Sequence, residues 1–182
     1  AVLVGVNRMF DLGFTKKELM ERGVKLGADV PYCIMRGTAL SEGIGEILTE
    51  LPAPPQCHLV IAKPQISVST KAVYGKLRVN ELAPEEHPDI DGMTEAIRNG
   101  DLDGVISRLG NVLETVTIPD HPEIARIKSM MMENGACGSL MSGSGPTVFA
   151  LFQAREKAAA AVSSLRDLKE QGYSIFLVKT LQ

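Results

Sequence analysis

Gly135-Ala-Cys-Gly-Ser-Leu-Met-Ser-Gly-Ser-Gly-Pro-Thr-Val-Phe-Ala-Leu-Phe152, GACGSLMSGSGPTVFALF, sets glycines and serines directly against a run that reads as a buried strand. A P-loop requires Lys-Ser/Thr after its last glycine and a helix beyond it, so that backbone amides and the helix N-terminus face the phosphate together. No such lysine follows here, and the chain runs into a strand. The dinucleotide fingerprint fails too, because its third glycine and its helix are missing. Two strands are therefore expected, around Gly138 to Met141 and Thr147 to Phe152, joined across Ser142-Gly-Ser-Gly-Pro146. The spacing leaves two readings of the joining loop: a plain glycine-rich hairpin, or a concave anion-binding nest of N–H groups flanked by hydroxyls.

Working outward, a helix is expected from about Ala154 to Gln171, with Ala158, Val162, Leu165 and Leu168 on one face, and then a strand from Tyr173 to Val178. Upstream, Pro122 opens a helix that closes on Gly135 and carries Ile124, Ile127 and Met131 in a stripe. Asp91 to Asn99 closes on Gly100, and Leu102, Val105, Ile106, Leu109, Val112 and Leu113 recur at helical spacing in the next helix. Cys57 to Ala62 reads as a strand, and Ser67-Val-Ser-Thr70 can cap a helix through Tyr74. Near the start, Thr15-Lys-Lys-Glu18 is a capping box for a helix reaching about Gly27, and Pro31 to Leu40 reads as a strand. The three prolines of Leu51-Pro-Ala-Pro-Pro55 make a stiff connection, so a boundary is expected there. Strands and helices mix without strict alternation, which predicts an α+β fold with helices on one side of a largely antiparallel sheet.

With 45% hydrophobic and 23% charged residues among 182, the chain can bury a real core and lacks the signature of disorder. A formal charge of -3 with no long block of either sign argues against nucleic acid or an anionic membrane as partner. Cys33, Cys57 and Cys137 are odd in number and widely spaced, which supports neither a disulfide framework nor a zinc site and fits a reducing cytoplasm. Cys137 is read as a small buried residue. His58, His87 and His121 lack metal-ligand spacing and read as surface or cap histidines. Part of Met130-Met-Met132 should fill the core. No apolar run approaches the length of a membrane helix. The chain opens without Met inside an apolar helix-like run, AVLVGVNRMF, and is expected to be truncated.

Taken together, Leu26-Gly-Ala-Asp-Val-Pro31, Gly37-Thr-Ala-Leu-Ser-Glu-Gly-Ile-Gly-Glu46, Pro64 with Ser67-Val-Ser-Thr70 and Val73-Tyr74, and Ser142-Gly-Ser-Gly-Pro146 resemble the GHMP kinases, the superfamily of galactokinase, homoserine kinase and mevalonate kinase. The resemblance covers nearly the whole chain in order. It implies the end of an N-terminal domain (ribosomal protein S5 domain 2-like) over residues 1–52 and a ferredoxin-like C-terminal domain over residues 53–182. The activity it implies is ATP-dependent phosphorylation, with Mg2+, of the tertiary 2-hydroxyl of a cytidine-diphosphate-linked methylerythritol, a cytoplasmic step of non-mevalonate isoprenoid synthesis. Two alternatives stay open: another GHMP kinase acting on a different small alcohol, and a non-catalytic small-molecule-binding module.

By the same resemblance, Asp29 in Gly-Ala-Asp-Val-Pro matches the catalytic base. A tertiary alcohol is a poor nucleophile at neutral pH, and a carboxylate within hydrogen-bond reach can orient it and take its proton. Without the resemblance, Asp29 would read as a cap or turn former. Tyr74 matches an aromatic position that stacks on cytosine, against the alternative of a tyrosine covering the core. Ile44, between two glycines, matches a position whose main chain bonds the cytosine edge. Thr70 matches a polar position near the methylerythritol or phosphates, and a helix cap accounts for it equally well. Gly143, Ser144 and Gly145 match a loop that lines the site. No carboxylate pair stands out as a magnesium ligand. Relatives carry a catalytic lysine and the principal ATP loop ahead of the position of Ala1, so the 182 residues alone are expected to be nearly inactive, with exposed apolar surface and self-association.

Overall fold

The computed structural model describes residues 1–180, and the chain divides into two compact units, Ala1–Ala53 and Pro54–Gln182. In the first, α1 (Val2–Met9), α2 (Lys16–Gly23) and α3 (Val30–Met35) precede a hairpin of β1 (Thr38–Glu42) and β2 (Ile47–Leu51). The capping box forms as expected: the Thr15 hydroxyl accepts the Glu18 N–H while the Glu18 carboxylate accepts the Thr15 N–H at 2.8 Å. Asn7 ties α1 to the following turn, donating to the Phe14 carbonyl at 2.9 Å and accepting the Phe14 N–H at 3.0 Å. Arg22 lies over the Phe14 ring. The small core holds Leu19, Ile34, Met35 and Leu51, whereas Val2, Met9 and Phe10 stand exposed around α1.

Two expectations for this unit need correction. Helix α2 stops at Gly23, where a Cβ would come within 2.8 Å of the Val30 side chain, so the glycine permits the close approach of α2 and α3. The run from Pro31 to Leu40 is not one strand: its first half is α3, and only Thr38 onward is extended. Pro31 sits in the first helical turn, where its missing N–H costs nothing, and Arg36 and Gly37, at φ 63° and 81°, reverse the chain before β1. A short apolar run does not discriminate helix from strand by periodicity. Strand β2, paired with β1 from Thr38 opposite Leu51 to Glu42 opposite Ile47, is an addition to the expected elements.

The second unit runs β3 (His58–Lys63), α4 (Thr70–Lys76), α5 (Ile90–Asn99), α6 (Leu102–Ser107), α7 (Glu114–Asp120), α8 (Glu123–Glu133), β4 (Gly138–Met141), β5 (Val148–Phe152), α9 (Arg155–Ser164), α10 (Arg166–Glu170) and β6 (Ser174–Lys179). The strands form one antiparallel sheet in the order β4-β5-β3-β6. Second, third, first, fourth is the ferredoxin-like arrangement, with helices in both crossovers. Val60, Ala62, Val148, Ala150 and Phe152 of the sheet pack with Ile124, Ile127 and Met131 of α8 and with Ala158, Ala161, Leu165 and Leu168, all but solvent-free. Of the methionine triplet, Met131 fills the core and Met132 is exposed. The α+β class and the antiparallel sheet are as expected.

The expected helix over 102–113 breaks. Helix α6 ends at Ser107, and a turn carries the chain through Gly110 and Asn111 into α7, because the Asn111 side chain accepts the Leu113 N–H at 3.0 Å and holds a turn there. The apolar stripe passes across the break, so its spacing alone cannot reveal it. The long C-terminal helix likewise breaks at Leu165, whose buried side chain is shared by α9 and α10. Cys137 is exposed rather than buried, since β4 is a sheet edge; the buried thiol is Cys57.

Candidate active site

The loop Ser142–Pro146 joins β4 to β5 as a hairpin, with the Ser142 N–H donating to the Thr147 carbonyl at 2.8 Å and the Gly145 N–H to the Ser142 carbonyl at 3.0 Å. Its carbonyls are drawn inward. The Asn111 amide donates to the carbonyls of Met141 and Gly143, both at 2.8 Å, and the buried Thr117 hydroxyl donates to the Ser144 carbonyl at 3.2 Å. Glu114 accepts the Met141 N–H at 2.7 Å and pairs with Lys128. Gly143 and Gly145 are left-handed, at φ 55° and 86°. Among the described residues, the N–H groups of Gly143 and Ser144 find no acceptor.

Thr70 and Ser144 meet directly, with their hydroxyl oxygens 2.9 Å apart. Ser69, not Thr70, caps α4, accepting the Ala72 N–H. The Thr70 hydroxyl therefore belongs to the loop rather than to the helix end. Tyr74 lies one turn further along α4, on the same face, and at 60% exposure it does not cover the core. Lys76 at the end of α4 pairs with Asp120 at the end of α7, and holds the Asp120 carboxyl below its ordinary range chiefly through that hydrogen bond. Thus Thr70, Tyr74, Ser144 and the two unengaged N–H groups share one surface of the second unit.

In the first unit, Asp29 precedes α3 and is exposed, and its carboxylate makes no capping bond to the helix. The turn bearing Ile44 packs beside it: a Cβ on Gly45 would lie 3.6 Å from the Ala28 carbonyl. The Ile44 N–H is already engaged, donating to Glu46 at 2.7 Å, which leaves the carbonyl as the main-chain group at this position. Ile44 itself is 72% exposed.

Asn111, Glu114, Thr117, Lys128 and Glu46 were not singled out from the sequence. Asn111, Glu114 and Thr117 recur at intervals of three, which puts three polar groups on one side of a segment otherwise read for its apolar stripe. That was the available signal. A recess of about 430 Å³ lined by Glu85, Glu86, His87, Asp89 and Arg108 contains none of the predicted site residues, and Arg108 is committed there to Asp89 at 2.9 Å. Among the described residues no group of three or more His, Cys, Asp and Glu side chains is placed to hold a metal ion, and no helix is long and apolar enough to cross a membrane.

The second unit is thus a ferredoxin-like sheet whose edge hairpin turns on a glycine-serine loop, and it is this unit that matches a family of small-molecule kinases. Residues 93–171 match the family described as GHMP kinases C terminal, and the chain carries that domain. More particularly, it is 52% identical over 178 residues to a protein named 4-diphosphocytidyl-2-C-methyl-D-erythritol kinase from Lachnospira eligens, covering 98% of this chain and 61% of that protein. It is 47% identical over 182 residues to a protein of the same name from Enterococcus faecalis, covering 62% of it. The chain thus spans about three-fifths of the length of these relatives. Among solved structures, a 4-(cytidine 5'-diphospho)-2C-methyl-D-erythritol kinase superposes with a TM-score of 0.76 at 26% identity, over 100% of this chain and 63% of that one. A homoserine kinase from Cytophaga hutchinsonii gives 0.78 at 20% identity, over 97% of this chain and 61% of that one, a likeness of fold.

Proposed function

We propose that the chain supplies the acceptor side of an ATP-dependent kinase that phosphorylates the 2-hydroxyl of 4-diphosphocytidyl-2-C-methyl-D-erythritol. The observation that carries this reading over a passive binding module is the Asp29 carboxylate, which stands at the start of α3 without serving as its cap. In this reading Asp29 orients the tertiary hydroxyl and accepts its proton as the oxygen attacks the γ-phosphorus. Tyr74 stacks on the cytosine, and the Ile44 carbonyl accepts from the base's amino group. Thr70 and Ser144 supply hydroxyls, and the Gly143 and Ser144 N–H groups supply donors, toward a phosphate-bearing group. No residue described here is assigned to the magnesium that accompanies ATP. A cytoplasmic location goes with this reading.

The test is phosphoryl transfer from ATP by the 182 residues joined to the segment of the Lachnospira eligens relative that the match leaves uncovered, beside the 182 residues alone. The joined protein should phosphorylate the cytidine-diphosphate methylerythritol in preference to homoserine or mevalonate, and the chain alone should be nearly inactive. Asp29→Asn should lower kcat by about 10²- to 10⁴-fold with little change in KM, the range for loss of a general base. Unchanged turnover in Asp29→Asn would remove Asp29 as the base, and ligand binding without any transfer by the joined protein would replace the kinase reading with a binding module.

A further inference from the structure

We propose that Asn111 is a positioning residue that turns the Ser144 amide outward and so makes the Ser142–Pro146 loop, in which the Gly143 N–H is also unengaged, a preformed nest for a phosphate or pyrophosphate oxyanion. A peptide unit has two ends, and fixing its carbonyl fixes the direction of the N–H on the next residue. The Met141 and Gly143 carbonyls both accept from the one Asn111 amide nitrogen, at 2.8 Å each. The Ser144 carbonyl is held by Thr117. The N–H that follows the Gly143 carbonyl is that of Ser144, and it points away from Asn111.

The orientation of the Asn111 amide is set by its surroundings rather than by choice. Its nitrogen faces two carbonyls, which only donors satisfy, and its oxygen faces the Leu113 N–H at 3.0 Å. No hydroxyl or carboxylate reproduces that pattern: a carboxylate would aim an anion at two carbonyls. A Cβ on Gly143 would meet nothing within 4 Å, so the loop is open on the side where that Cβ would stand. Gly143 is left-handed and Ser144 is not, the alternation by which successive N–H groups converge on an anion. Thr70 adds a hydroxyl at the rim.

The inference rests on the kinase reading only for the source of the anion, and its test is independent of transfer. The 15N-labelled 182-residue chain is titrated with inorganic pyrophosphate while the Gly143 and Ser144 amide resonances are followed. Saturable shifts at those two amides, weakened at least tenfold in Asn111→Ala and Asn111→Asp while the Val60 and Val148 methyl resonances keep their positions, are expected. Thr117→Val, which frees the Ser144 carbonyl alone, should weaken binding by a smaller factor, and it carries the comparison if the Asn111 variants lose the Val60 and Val148 signals. A wild-type chain whose two amides do not respond, or folded variants that bind as tightly as wild type, would overturn the role of Asn111 and leave Asp29 and the transfer reaction untouched.

Discussion

Gly143 and Gly145 sit two residues apart in one loop, both left-handed, and their replacement by alanine should have unequal consequences. An added Cβ in a left-handed conformation costs about 1–2 kcal/mol at either position, offset by about 0.5–1 kcal/mol from the lower chain entropy of the unfolded state. At Gly143 the matter ends there, because the Cβ meets open space. At Gly145 it would lie 2.7 Å from the Met141 sulfur and 3.4 Å from the Thr117 methyl. Met141 is 1% exposed and cannot swing into solvent, so overpacking adds about 1–3 kcal/mol. The shared backbone cost cancels in the comparison, and Gly145→Ala should be less stable than Gly143→Ala by about 1–3 kcal/mol. Urea unfolding read at the Val60 and Val148 methyl groups reports the second unit alone. A difference below about 0.5 kcal/mol would refute the assignment of Met141 as the wall behind the loop.

Two further outcomes follow from the charge and thiol environments. Lys76 holds the Asp120 carboxyl below its ordinary value of 3.8, so the pair's contribution is present above that value and is lost as pH falls through the depressed one. The stability difference between wild type and Asp120→Asn should therefore be small, salt-sensitive and present at pH 6, and should vanish toward pH 2; a difference that grows on acidification contradicts the pairing. Burial raises the Cys57 thiol above its ordinary value, while Cys33 and Cys137 are exposed. Iodoacetamide should accordingly label Cys33 and Cys137 in the folded chain and reach Cys57 only in denaturant, and prompt labelling of all three would show the β3 end of the sheet to be open.

What was legible in the sequence was local. The capping box at Thr15 and Glu18, the left-handed stop at Gly100, and the Ile124, Ile127 and Met131 stripe each act within one or two helical turns, and each appears in the fold as read. The segment Val30–Met35 was misread because six residues are too few for apolar spacing to separate helix from strand, and the deciding feature is the chain reversal at Arg36 and Gly37. The loop at 142–146 shows the harder limit. Its glycines mark a turn, but whether that turn presents N–H groups or carbonyls depends on Asn111 and Thr117, which lie 32 and 27 residues away along the chain from the carbonyls of Gly143 and Ser144. The spacing of Asn111, Glu114 and Thr117 marks a polar side of the segment, but nothing in a single sequence says which distant backbone groups that side meets. The glycine spacing thus left both a hairpin and an anion nest open, and folding α7 beneath the loop makes the two compatible: the same inward bonds that close the hairpin turn the Ser144 amide out.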